Sequence, residues 1–188
     1  MHLLKSYFQY VNEPERALRT LLEEKSVAQA CVGYLVAALG WVLFFNISSG
    51  VTLPVLLLKV AIVFVAEIVA GSFLASFCGL FLDFFRVDTS PVKLFVLIGS
   101  AGFIKGLLVA FALISAAVPA VHLVWFWPLA VASVFGLQLG YLIRGLKRAY
   151  NVSYGKAFLV WVLSCVPVLA ALMLLGVFFV WCICLLVS

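Results

Sequence analysis

Residues 53–85 form a hydrophobic run interrupted by Lys59 and Glu67 and then ridged by Gly71, Ala75 and Gly79. A bilayer core of about 30 Å needs roughly 20 helical residues, so a single helix over this run crosses it with length to spare. Glu67 then falls near mid-depth. A carboxylate there is costly, and it persists only beside a partner, in a protonated form or along a wet path. The rest of the chain must pack around that constraint.

Four further apolar runs accompany this one. The expected spans are 27–47, 54–82, 91–118, 123–143 and 157–181, giving an all-α, polytopic domain of five transmembrane helices over 27–188. With 67% hydrophobic and 10% charged residues and a mean hydropathy of +1.29, a soluble domain is excluded. The turn Ser48-Ser49-Gly50 separates the first two spans. Span three is softly broken by Gly99 to Gly102, and Pro167 predicts a kink in span five.

Residues 1–26 are polar and charged, which predicts that no signal peptide is cleaved and that the first span stays in the membrane. Leu4, Tyr7, Phe8 and Val11 recur at helical spacing, as on a helix lying on a membrane surface. Asn12 can cap a second stretch that begins at Pro14 and carries Leu18, Leu21 and Leu22 on one side. The pairs Glu15–Arg19 and Arg19–Glu23 lie on the other. An interfacial helix and a solvated cap both fit this pattern.

The net charge of +5 is scattered between apolar runs rather than gathered on one face, so it predicts topology and not a nucleic-acid site. Lys5, Arg16, Arg19 and Lys25 precede span one, and the remaining loop cations follow spans two and four. The connections after spans one and three, and the tail, carry none. This asymmetry predicts a cytoplasmic N-terminus and an outside C-terminus. Trp41, Trp125, Trp127 and Trp181 then fall toward the outer interface.

Lys105 lies near the middle of span three, which runs antiparallel to span two, so Glu67 and Lys105 arrive at about the same depth. Lys59 is a weaker partner for Glu67, roughly 12 Å away on the same helix, near an end where it can reach water. The register predicts a Glu67–Lys105 ion pair; the alternative is that Lys105 faces headgroups and Glu67 is protonated. Such a pair marks an ion path or fixes helix register, and a single pair in a small bundle favours register.

Small residues recur at helical spacing in three spans: Gly71, Ala75 and Gly79; Gly102, Gly106 and Ala110; Ala132, Gly136 and Gly140. Lipid supplies no hydrophobic drive for helix association, so close backbone approach must supply it, and these ridges suit a tight bundle or a homo-oligomer face. Gln138 lies opposite the third ridge, which predicts a partner on another helix. Arg144, Lys147 and Arg148 share one side of a helix end, suited to anionic lipid headgroups, an acidic protein partner or plain anchoring. Cys31, Cys78 and Cys165 sit within apolar runs as small filler, and Cys182 and Cys184 are two residues apart on a helix, unable to share one ion easily. No catalytic constellation, cofactor motif or metal-ligand spacing is present in the sequence, and His2 and His122 stand alone.

The order of parts resembles a known family. A polar lead with Asn12-Glu13-Pro14-Glu15-Arg16-Ala17, five spans, Val118-Pro119 before span four and the run 142–156 (LIRGLKRAYNVSYGK) ahead of Ala157 are similar to the bacterial branch of the Yip family, the Ypt/Rab-interacting membrane proteins. The resemblance implies a five-helix integral protein of the bacterial cytoplasmic membrane. Its eukaryotic relatives are partners of Rab GTPases in ER and Golgi membranes. The expected function is a non-enzymatic scaffold or adaptor that organises lipids or protein partners at the cytoplasmic face; the alternative is a small transporter, channel or lipid-translocating protein that uses Glu67 and Lys105.

Overall fold

The computed structural model describes residues 26–47, 50–117 and 125–187. The expected N-terminal amphipathic helix, His122 and Pro119 lie outside these residues. Among the described residues the fold is all helical: α1 (Val27–Asn46), α2 (Leu53–Phe84), α3 (Pro91–Lys105), α4 (Leu107–Ala117), α5 (Phe126–Tyr150) and α6 (Tyr154–Val187). Five segments are long and apolar enough to cross a membrane, α3 and α4 together forming the third.

Local chemistry sets the helix ends. The Ser26 hydroxyl accepts from the Gln29 amide at the start of α1. Pro54 and Pro91 stand in the first turns of α2 and α3, where a missing N–H costs nothing. Gly50 turns the chain between α1 and α2 at φ +60°, a conformation that suits a residue without Cβ. Asn151 ends α5 in the left-handed region at φ 52°. Thr89 donates to Asp83 at 2.7 Å and braces the α2–α3 connection.

The interruption of the third span falls at Gly106, not over Gly99 to Gly102. There the Gly106 amide reaches the Phe103 carbonyl and the Val109 amide reaches the Gly106 carbonyl, three-residue bonds that tighten the turn. Gly99 and Gly102 instead lie within unbroken α3, because their missing side chains admit α1. α6 continues through Pro167 as one helix, and α5 runs to Tyr150, so Arg144, Lys147 and Arg148 stand on its last turns.

α1 and α3 form the centre. Over its most apolar window, 56% of the third span is buried, against 6% of the second, so α2 is a peripheral helix whose outer face meets lipid. Cβ atoms added at Gly33 or Gly102 would overlap the carbonyls of Gly99 or Gly33, and one at Gly40 would overlap the Lys105 carbonyl. Backbone therefore packs on backbone along α1 and α3, the close approach that membrane helices need in place of hydrophobic drive. One cluster, with Leu82, Leu94, Leu97 and Leu142, fills the end of the bundle that carries the basic residues. Another, around Phe44, Leu108 and Val134, fills the tryptophan end, where the Phe44 and Trp127 rings meet at 4.4 Å.

Candidate functional site: an intramembrane ion pair beside a cavity

Glu67 stands roughly 21 Å along α2 from its tryptophan end, and Lys105 roughly 21 Å along α3 from its basic end. Antiparallel packing brings the two to one depth. Lys105 Nζ donates to both Glu67 carboxylate oxygens, at 2.6 and 2.8 Å. The Lys105 side chain is 11% exposed and that of Glu67 18%. A bidentate contact of this kind neutralises two charges that hydrocarbon would not tolerate singly. Lys59 is engaged elsewhere: its ammonium donates to Asn46 Oδ1 at 2.6 Å and fastens α2 to the end of α1.

The pair forms part of the wall of a cavity of about 380 Å³, partly open at the surface of the bundle. α2 contributes Glu67 and Leu74, α3 contributes Lys105, α5 contributes Gly136 and Gln138, and α6 contributes Trp161. Tyr34 of α1 also faces it, with its hydroxyl bonded to the Phe95 carbonyl at 3.3 Å. Apart from these polar groups the lining is apolar.

The three ridges meet different fates. Gly71 is covered by the Tyr34 ring and hydroxyl, Ala75 is buried, and a Cβ at Gly79 would touch Leu94 at an ordinary 3.5 Å. This ridge therefore receives side chains rather than a backbone. Gly102 and Gly106 face α1, at Gly33 and Val36, rather than α2. A Cβ at Gly136 or Gly140 would meet nothing within 4 Å, so among the described residues the third ridge packs against no helix. Gln138 lacks the expected partner: its Oε1 is buried and accepts no hydrogen bond among the described residues. At the basic end Arg144 and Arg148 are exposed, and Lys147 Nζ lies 3.8 Å above the Tyr154 ring.

Sequence reasoning missed Tyr34, Trp161, Asn46 and the glycines at 33, 40 and 99. A signal for the glycines was present, since Ala30, Gly33, Ala37 and Gly40 repeat at intervals of three and four. Nothing in periodicity marked Tyr34 or Trp161 as cavity residues. Among the described residues no group of three His, Cys, Asp or Glu side chains is placed to hold a metal ion, and Cys31, Cys78 and Cys165 are free thiols.

Fold and site together define a polytopic α-helical membrane protein with a neutralised charge pair in its interior. Comparison with protein-family models, with curated proteins and with solved structures finds no match to this chain.

Proposed function

We propose that the protein is a non-enzymatic membrane scaffold or adaptor of the kind the Yip-family resemblance implies. It works at the bacterial cytoplasmic membrane with its N-terminus inside, and its basic end faces anionic headgroups or a protein partner. The closed Glu67–Lys105 pair carries this reading: one ammonium occupies both carboxylate oxygens, so neither charge is left to receive a moving ion. The backbone-to-backbone packing of α1 on α3 adds a rigid frame. Arg144, Lys147 and Arg148 then supply the contact surface, each adding about 1 kcal/mol near anionic lipid.

Proteoliposomes test it. Wild type and Glu67→Gln should both leave proton, cation and lipid movement at the level of empty vesicles. Sedimentation with anionic vesicles, or co-purification of a defined partner, should fall when Arg144, Lys147 and Arg148 are all replaced by Gln. One observation favours a second reading, a transporter or lipid-translocating protein: the cavity reaches both charged side chains. Flux that Glu67→Gln abolishes would establish that reading and end the scaffold account.

A further inference from the structure

The cavity has properties that the ion pair alone does not explain. At about 380 Å³ it falls within the size range of small-molecule sites, and its wall has their composition, mostly apolar with a few converging polar groups. Leu74, Leu139, Leu142 and Val168 supply hydrocarbon contact. Water suits such a surface poorly, because each buried water needs two to four polar partners.

Three further observations narrow the occupant. Glu67 and Lys105 neutralise each other, so a charged ligand would add an uncompensated charge at mid-depth. Gln138 Oε1 is a buried acceptor with no donor among the described residues, an unfavourable condition until a donor arrives. Gly136, in the wall of the cavity, has open space where a Cβ would stand, so a larger residue there would reduce the gap. Access is lateral: α2 and α5 both line the cavity without an extended interface between them among the described residues, and every α6 residue with a described side chain from Leu169 to Trp181 is exposed.

We propose that this cavity binds one uncharged, hydroxyl-bearing amphipath drawn from the bilayer, with its head group on Gln138 and its chain on the apolar wall. A hydroxyl can donate to the Gln138 Oε1 acceptor, which an ether oxygen cannot. A carboxylate would repel Glu67 and compete for Lys105. A plain hydrocarbon would leave Gln138 unpaired.

Photolabelling of the full chain in phosphatidylcholine vesicles tests this. The probes are a long-chain primary alcohol with a diazirine in its chain, the matching carboxylic acid and the matching methyl ether. The alcohol should give saturable adducts at Leu139 and Trp161, and the ether and acid about tenfold fewer, the ratio that one buried hydrogen bond predicts. Gly136→Leu should fill the space and abolish labelling there. Gln138→Leu should lower alcohol labelling to the level of the ether, and it carries the test should Gly136→Leu fail to fold. Equal labelling by all three probes, adducts confined to the outer faces of α2 and α6, or a cross-link between two copies through Gly136 would each overturn the proposal. Occupancy is read here without flux or partner capture, so failure leaves either account of function standing.

Discussion

Removing Lys105 alone should cost more than removing both members of the Glu67–Lys105 pair. In Lys105→Met the carboxylate stays in the bundle interior with no cation, and the loss is about 3 kcal/mol, the lower range for breaking a buried pair. In Glu67→Gln the amide oxygen still accepts from the ammonium, which limits the loss to about 2 kcal/mol. The double variant carries no charge at this depth and forfeits only hydrogen bonding and fit, about 2 kcal/mol. The cycle should therefore return a coupling of about 3 kcal/mol, at the upper end for residues in direct contact. For a chain of this size the Lys105→Met loss corresponds to a melting shift of about 6–12 °C, readable by thermal unfolding in detergent. The double variant should melt above Lys105→Met. Additive losses, with coupling inside about 0.5 kcal/mol, would show that the two side chains do not meet and would refute the reasoning.

Gly33→Ala forces a Cβ onto the Gly99 carbonyl, backbone that cannot swing aside, and should lower stability by about 3 kcal/mol; Gly136→Ala, with open space around it, should raise it by about 0.5–1 kcal/mol, both read by the same melts. Lys59→Met breaks the bond to Asn46 at the end of α1 and should cost about 1.5 kcal/mol, and the losses of Lys59→Met and Asn46→Ala should be less than additive in the double variant. A membrane-impermeant thiol reagent should reach Arg148→Cys only in inside-out vesicles and Thr52→Cys only in right-side-out ones; the opposite pattern would reverse the proposed orientation.

Depth along a helix is countable from sequence, and facing is not. The five spans follow from run length, and the meeting of Glu67 with Lys105 follows from a rise of about 1.5 Å per residue in two antiparallel helices. A glycine ridge shows only that something comes close. It does not say whether that is a backbone, as Gly33 is for Gly102, a ring, as Tyr34 is for Gly71, or nothing, as at Gly136. The break at Gly106 was hidden for the same reason: Gly99, Gly102 and Gly106 look alike in sequence, and α1 lies against two of them within unbroken helix. Nothing in the sequence marks Asn46 as a contact, since its role depends on the neighbour that α2 brings to it.

The cavity arises from where the outer helices are tied. Along the basic half, α5 is held to α3: Tyr141 meets Ser100 at 3.4 Å, Gly145 takes Leu97 against its backbone, and the Tyr150 hydroxyl donates to the Ser90 carbonyl at 3.2 Å. At its other end Trp127 packs on Phe44, and Ala130 and Val134 lie in one cluster with Leu108 and Ala112. α6 packs chiefly on α2, with Ala157 and Val160 in one cluster with Cys78 and Leu82 near the basic end, and less extensively on α5. α2 and α5 share only that cluster at the basic end and form no extended interface among the described residues, so the space between them at mid-depth should persist whether or not charges line it. Alcohol labelling at Leu139 and Trp161 should accordingly survive in the Glu67→Gln, Lys105→Met double variant. Its disappearance there would mean that the ion pair, and not the ties of α5 and α6, holds α2 away from α5.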